Sequence, residues 1–200
     1  MSVAKLVIPQ PLQGLHLERK VSFVSSEAPR QKTPAQSIAE LLGLKPLGVE
    51  GGLFAQTWRS EIGEERPAGT AIYALFTDEP DSFSALHRLD ATEVWHHYLG
   101  DPLHVVQLHA DGTHEVRMLG NDLLNDQRPQ LVIEAGTWMG AYVPSPGRYT
   151  LIGCTMAPGF VGTAYEGGVQ AELLASYPAA TDLISRLTRL GQELGTPPEY

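Results

Sequence analysis

The sequence predicts an all-β fold, a sandwich or a barrel, because nine short β-rich runs follow one another with turn signals between them. The segments that separate the runs, such as ERPAG, DEPD, GDP, ADG and PSPG, are rich in residues that favour turns. The chain has 200 residues, 42% of them hydrophobic, which is enough for one domain with a core of its own. The runs are LFAQTWRS, TAIYALFT, SFSALHR, EVWHHYL, LHVVQLH, THEVRML, LVIE, TWMGAYV and YTLIGCTM.

Two regions precede the first of these strands. Residues 1–35 are predicted to be an N-terminal extension and linker, because LVIP and KVSFVS are short β-like pieces and SSEAPRQKTPAQ carries Pro, Ser and charge without periodicity. Residues 37–44 are predicted to be a short amphipathic helix that caps the barrel, since Ile38, Leu41 and Leu42 fall at i, i+3 and i+4. The domain itself is predicted to span residues 36–200.

The pattern changes again after the last strand. APGF and YEGG are predicted to be loops, and residues 181–192 are predicted to be a helix with one apolar stripe. Thr181 or Asp182 is a suitable N-cap for that helix, and the last residues, GTPPEY, are predicted to fray. One helix would therefore lie at each end of the barrel.

Composition excludes several classes of function. The formal net charge is −9 and no basic run exists, whereas proteins that bind nucleic acid or anionic membrane surfaces need a basic patch. The N-terminus lacks the apolar core of a secretory signal, and no segment approaches the roughly 20 apolar residues of a membrane span. The single cysteine, Cys154, excludes an internal disulfide and lies in the apolar run LIGCTM, so we expect a buried, unreactive thiol. We expect a cytoplasmic protein with neither nucleic acid nor membrane as a partner.

The stretch DSFSALHRLDATEVWHHYLG carries most of the residues that could do chemistry. If His87 ends one strand and Glu93 begins the next, the short turn between them brings an imidazole and a carboxylate face to face. Such a pair can hold a metal ion or move a proton. In a strand that starts at Glu93, the period of two places Trp95 and His97 on the same face as Glu93, towards the inside of the barrel.

This stretch resembles the first cupin motif, G-x5-H-x-H-x3-4-E-x6-G, in which the two His and the Glu bind a metal inside a small β-barrel. His87, Glu93 and Gly100 match the motif at the right spacing. Asp81 stands in place of the first Gly, and Leu89 stands in place of the second His. Two of the three metal ligands of the motif are therefore present.

The second cupin motif, G-x5-P-x-G-x2-H-x3-N, falls on residues 128–143. Gly136 alone matches it, and Met139 stands where the motif has its His ligand. A thioether is a poor ligand for the hard divalent ions that cupins use. The fourth ligand of the motif is therefore missing.

The chain as a whole resembles a cupin subfamily of unassigned function. The resemblance is carried by LLGLKP, VEGGLFAQTWRS, TAIYALF, LHRLDATEVWHHYLGDPL, LVIEAGTW and LIGCTMAPGF, and it runs from about Leu41 to Phe160. It implies a cupin-type double-stranded β-helix, the jelly roll, with short flanking helices. It also implies a homodimer, whose N-terminal strands are candidates for exchange between protomers, and a small-molecule ligand inside the barrel.

We interpret the site first as one for acid–base chemistry without a cofactor, of the isomerase or epimerase type, on a sugar-like or cyclic metabolite. The resemblance to cupin-type deoxysugar epimerases, which use a His base and a Tyr acid, implies His87 as the base and Glu93 as the carboxylate that orients it. Tyr73 or Tyr98 would then be the acid. A carboxylate beside a His in an apolar cavity orients the ring and stabilises the imidazolium.

Two alternatives stay open. In the first, the protein is a metal-dependent oxygenase or isomerase that binds Fe, Mn, Ni or Zn through His87, Glu93 and His97. In the second, the barrel binds a small molecule without catalysis. The resemblance alone does not choose between an enzyme and a binding protein.

A further set of residues is predicted to contact the ligand. Two glycines in EGGLFAQTWR allow the backbone to adopt positive φ or to approach a ligand, and the strand after them alternates apolar and amide side chains on one side. The resemblance places this segment at the mouth of the barrel. The predicted ligand contacts are Glu50, Phe54, Gln56, Trp58, Arg59, Trp95, His97 and Met139.

Overall fold

The computed structural model describes residues 32–62, 65–189 and 191. Within these ranges the chain forms two antiparallel sheets, three short α-helices and three single 3₁₀ turns. The strands are β1 Lys45–Pro46, β2 Leu53–Arg59, β3 Thr70–Thr77, β4 Ser84–Leu89, β5 Glu93–Gly100, β6 Leu103–Leu108, β7 His114–Leu119, β8 Gln130–Ile133, β9 Trp138–Tyr142, β10 Tyr149–Met156 and β11 Tyr165–Gly167. The α-helices are α1 Pro34–Leu41, α2 Gln170–Ser176 and α3 Thr181–Arg186, and the 3₁₀ turns are Leu123–Asn125, Gly162–Ala164 and Pro178–Ala180.

The two sheets confirm the predicted all-β jelly roll. The first sheet has six strands in the order β1-β2-β3-β10-β5-β8, and the second has five in the order β11-β4-β9-β6-β7. All nine predicted strands are present, as β2 to β10. Two further strands, β1 and β11, were not predicted. β1 has only two residues, and β11 consists of Tyr165–Gly167, within the YEGG segment that was predicted to be a loop. Each of the two forms by pairing with a longer neighbour, β2 and β4 respectively.

The main core lies between the sheets. Alternation with a period of two turns one face of each strand inward, so that β3 contributes Ala74 and Phe76 and β10 contributes Ile152 and Cys154. Burial of these apolar side chains is the main favourable contribution to folding. The predicted buried position of Cys154 is confirmed, with 6% of the residue exposed.

Helix α1 begins three residues earlier than the predicted helix, and it does so because of its N-cap. The side chain of Thr33 accepts a hydrogen bond from the backbone N–H of Gln36, and the side chain of Gln36 accepts one from the backbone N–H of Thr33. This reciprocal pair is a capping box, and Pro34 adds a favourable first residue. The sequence TPAQ carries this signal, although the composition of the segment favoured a linker.

Removal of this cap should destabilise the protein measurably. We expect Thr33→Ala to lower the free energy of unfolding by about 1 kcal/mol, because one backbone donor at the start of the helix loses its acceptor. Thr33→Ser keeps the hydroxyl and should unfold like the wild type. Urea denaturation of the two variants checks this expectation, and equal loss in both would show that the capping hydroxyl is not the cause.

The C-terminal helices pack on the outer face of the five-stranded sheet. Leu173 of α2 and Ile184 of α3 join Leu86, Val106 and Leu108 of that sheet in a second apolar cluster. The predicted C-terminal helix begins at Thr181 as expected but ends at Arg186, and α2 lies in a stretch for which no helix was predicted. The expectation that helices lie at the barrel ends is wrong for this pair. No helix in the described ranges is long and apolar enough to cross a membrane.

Some predictions fall outside the described ranges. These are the two β-like pieces and most of the linker within residues 1–35, the last part of the predicted helix at residues 190 and 192, and the C-terminal residues GTPPEY.

Candidate functional site

A cavity lies between the two sheets, and polar groups project into it from an apolar wall. The space open to the centre of a water molecule is about 30 Å³, which is room for about two water molecules. Its polar lining is Glu50, Thr70, His87, Glu93 and Cys154. Its apolar lining is Ile72, Ala74, Phe76, Leu89, Trp95, Ile152, Met156 and Phe160.

Glu50 reaches the cavity from the turn that precedes β2. The two glycines after it have φ values of +95° and +73°, a region that side chains with a Cβ rarely adopt. A Cβ on Gly51 would also collide with the carbonyl of Phe83, and one on Gly52 with the ring of Phe76. The carbonyl of Glu50 accepts a hydrogen bond from the backbone of Ala85 at 2.8 Å, which ties the turn to β4. The two glycines therefore allow the close approach that places the Glu50 carboxyl inside.

His87 and Glu93 both line the cavity, but they are not partners in a hairpin. β4 belongs to the five-stranded sheet and β5 to the six-stranded sheet, so the short link between them crosses from one sheet to the other. The predicted geometry, a turn that folds one strand back on the next, is wrong. The imidazole and the carboxylate instead approach the same space from opposite walls.

The hydrogen bonds of His87 define which ring nitrogen is available. Nδ1 lies 2.8 Å from the carbonyl oxygen of Ala85, and a carbonyl can only accept, so Nδ1 carries the hydrogen. Nε2 lies 3.9 Å from Oε1 of Glu50, which is longer than a hydrogen bond. In the neutral ring, Nε2 therefore presents a lone pair towards Glu50.

Glu93 is held by two donors on the wall of the six-stranded sheet. The indole N–H of Trp95 donates to Oε2 of Glu93 at 2.7 Å, and the thiol of Cys154 also hydrogen-bonds the carboxylate. Trp95 and Cys154 are cross-strand neighbours in the pairing of β5 with β10. Glu50 accepts a hydrogen bond from the hydroxyl of Ser84 at 3.2 Å.

Burial shifts the proton affinities of all three groups. Desolvation raises the pKa of Glu50 to about 7, against the hydrogen bond from Ser84. Desolvation also raises the pKa of Glu93 to about 7; the bond from Trp95 opposes this, and the charge of Glu50 adds to it. Desolvation lowers the pKa of His87, against the bond to Ala85. Near neutral pH the imidazole is therefore neutral, and the two carboxyl groups can hold or release a proton.

The predicted ligand contacts in β2 are divided by a bulge. Phe54 and Gln56 pair with Ala74 and Ile72 of β3. Ala74 and Ile72 line the cavity, whereas Phe54 and Gln56 are not among its lining residues, and the register shifts after Gln56. The extra residue turns the strand, and Trp58 is 51% exposed. The predicted alternation of three side chains on one side is therefore wrong for Trp58. Arg59, the last residue of β2, is exposed as well.

Four other predicted site residues lie outside the cavity lining. Tyr73 and Tyr98 meet edge to face, with ring centroids 5.8 Å apart, in a groove beside α1 on the outer side of the six-stranded sheet. His97 is buried, and its Nε2 lies 3.1 Å from the carbonyl of Asp101. Met139 is buried in the core, opposite His87 in the pairing of β4 with β9.

The residues present do not fit the metal that cupin motifs hold. Leu89 lines the cavity at the motif position of the second His, and Met139 is a core side chain at the position of the fourth ligand. His97, the third predicted metal ligand, does not line the cavity with His87 and Glu93. Among residues 32–62, 65–189 and 191, no group of three or more His, Cys, Asp or Glu side chains could hold a metal ion.

Two features of the site were not predicted from the sequence. Glu50 was expected to contact a ligand, but its place as a second carboxyl group lining the cavity depends on how the two sheets face each other. Tyr165, at the start of β11, packs its ring on His87 with centroids 5.1 Å apart. No local pattern distinguishes this tyrosine from the other six in the chain.

Three comparisons relate the chain to known proteins. Residues 36–167 match the family model described as Cupin superfamily (DUF985). The chain is similar to a protein from Shewanella oneidensis of known X-ray structure, with 30% identity and a TM-score of 0.73 over 79% of this chain and 99% of that chain. It is also similar to a hypothetical protein from Leishmania major, with 29% identity and a TM-score of 0.71 over 78% of this chain and 99% of that chain. Among curated proteins, none matches.

Proposed function

The chain belongs to the cupin superfamily, in the family described as DUF985, and within that fold we propose a proton-transfer enzyme of the isomerase or epimerase type. One observation carries the proposal: His87, Glu50 and Glu93 line the same cavity between the sheets. Two carboxyl groups whose pKa values are raised towards 7, beside a neutral imidazole in an apolar site, are suited to acid–base catalysis near pH 7.

The proposed step is removal of a proton from a carbon next to a carbonyl group. Nε2 of His87 takes the proton, and the electron pair of the broken C–H bond moves onto the carbonyl oxygen. The imidazolium is stabilised by the carboxylate of Glu93 or Glu50. Return of the proton to the former carbonyl carbon, together with transfer of the hydroxyl proton from the oxygen of the first carbon to the enolate oxygen, gives isomerisation. Return of the proton to the other face of the same carbon gives epimerisation.

The size of the cavity limits the substrate. A space of about 30 Å³ holds about two water molecules, so even a ligand of four or five non-hydrogen atoms enters only with a small movement of the wall, and a larger one needs a larger movement. We therefore narrow the substrate class from a sugar-like or cyclic metabolite to a small hydroxycarbonyl compound. A larger sugar could present only its reacting end to His87.

Exchange of substrate hydrogen with solvent tests the proposal. Glycolaldehyde has four non-hydrogen atoms, and its C2 protons exchange through an enediol when a base removes them. In D₂O, we expect the protein to speed the loss of the C2–H signal in ¹H NMR, and we expect Glu50→Gln to slow this catalysed exchange by about 10²-fold. Glu79→Gln, an exposed carboxyl outside the cavity, should behave like the wild type.

The same experiment separates the proposal from its alternative. A barrel that binds a ligand without catalysis would show glycolaldehyde binding but no exchange above that of buffer. Exchange that is equally fast in the wild type and in Glu50→Gln would also contradict the assignment, because the carboxyl group would then play no part in moving the proton.

A further inference from the structure

Tyr165 lies directly against the proposed base. It begins β11, the edge strand of the five-stranded sheet, and 7% of the residue is exposed. Its ring stacks on the imidazole of His87, with an interplanar angle of 19° and centroids 5.1 Å apart. Stacking of this kind fixes the plane of the His87 ring.

The hydroxyl of Tyr165 is buried and has no hydrogen-bond partner among the described residues. Buried polar groups are almost always paired, because an unpaired one loses its bonds to water and gains none in return. Tyr142 shows the ordinary arrangement, since its hydroxyl lies 3.1 Å from Nδ1 of His104. The Tyr165 hydroxyl can therefore donate a hydrogen bond to a ligand that supplies an acceptor.

The Tyr165 hydroxyl is close enough to Glu50, which lines the cavity, for the charge of that residue to act on it. Burial raises the pKa of Tyr165 first, and the charge of Glu50 raises it further, against the charge of Arg189. The phenol therefore stays protonated and can donate throughout the physiological range. The charged or titratable groups around it are Glu50, His87 and Arg189.

We propose that Tyr165 is a further catalytic residue, whose hydroxyl donates a hydrogen bond to an oxygen of the bound substrate. The inference rests on the proposed function and specifies its substrate class: the ligand must carry a carbonyl, hydroxyl or enolate oxygen at the end that meets His87. When His87 takes the proton from carbon, the electron pair moves to the carbonyl oxygen, and the Tyr165 hydroxyl stabilises the charge that develops there. The phenol keeps its proton throughout.

Binding of acetohydroxamate tests the inference without any need for turnover. This compound is a small planar mimic of an enediolate, with two oxygens in the same arrangement. We expect Tyr165→Phe to bind it about tenfold more weakly than the wild type in calorimetric titration, because one hydrogen bond is lost. The melting temperature should stay the same or rise, because the variant removes an unpaired buried hydroxyl.

Tyr142→Phe is the matched control. It removes a hydroxyl that has a partner, so we expect a lower melting temperature and unchanged acetohydroxamate binding. The inference is overturned if Tyr165→Phe binds as tightly as the wild type, if the wild type does not bind at all, or if Tyr165→Phe loses stability as Tyr142→Phe does. Tyrosine-dependent binding without glycolaldehyde exchange in the wild type would leave Tyr165 as a ligand contact and would reject the proton-transfer function instead.

Discussion

Replacement of His87 by asparagine is expected to lower the rate of catalysed proton exchange by about 10²- to 10⁴-fold. Asparagine can keep a donor close to the Nδ1 position, and so retain the bond to the carbonyl of Ala85, but it has no atom in the place of Nε2. The variant therefore removes the proposed base and keeps the local backbone contact. The exchange of glycolaldehyde C2 protons in D₂O measures the effect.

His114→Asn is the control for this substitution. His114 begins β7, at the far edge of the five-stranded sheet, and does not line the cavity. We expect its exchange rate to equal that of the wild type. If His87→Asn retains the full rate while circular dichroism shows a folded protein, Nε2 is not the base.

Glu93→Gln is expected to change how the stability of the protein depends on pH. The pKa of Glu93 is raised from 4.5 to about 7 in the folded protein, chiefly by burial. Between these two values the folded chain keeps a proton that the unfolded chain releases. The stabilising contribution of this proton is complete below pH 4.5 and is lost as the pH rises through 7.

The glutamine variant cannot titrate at this position, so the difference between the two proteins reports the proton of Glu93 together with its coupling to His87 and Glu50. We expect the wild type to lose about 2 to 3 kcal/mol of unfolding free energy relative to Glu93→Gln between pH 4.5 and pH 8. His87 acts in the opposite direction, because its lowered pKa costs stability as the pH falls below 6.5, but it does so in both proteins. Urea denaturation across this pH range gives the difference.

Glu79→Gln provides the reference for this experiment. Glu79 is exposed, so the difference in unfolding free energy between Glu79→Gln and the wild type should change little with pH. If the wild type instead gains stability relative to Glu93→Gln as the pH rises, the Glu93 carboxyl is ionised in the folded protein and its pKa is lowered. The inference that the folded protein keeps a proton on Glu93 near neutral pH would then be wrong.

The strands of this protein are readable from the sequence because each is short, β-rich and bounded by turn residues. The same local signals place His87 close to the end of one strand, which the structure extends to Leu89, and Glu93 at the start of the next. They do not say which sheet each strand joins. That choice depends on pairing between distant segments, such as β5 with β10, and no local pattern encodes it.

The site itself was predictable in part. Glu50, His87, Glu93 and Trp95 were identified from their chemistry and all line the cavity. Trp58 was misplaced because one extra residue in a bulge reverses the alternation of a strand. Tyr165 was missed because its importance comes from a ring contact between residues far apart in the chain.

The proposed chemistry depends on a neutral imidazole and two carboxyl groups that take up and release protons near neutral pH inside the barrel. The most direct test is an NMR titration of protein labelled with ¹³C at the glutamate carboxyl carbons and ¹⁵N in the histidine rings, with Glu50→Gln, Glu93→Gln and His87→Asn used for assignment. We predict two carboxyl signals that titrate near pH 7, and a His87 ring that stays neutral at that pH with its hydrogen on Nδ1. Titration of both carboxyl groups below pH 5, or a His87 ring that is charged at pH 7, would rule out the proposed acid–base chemistry.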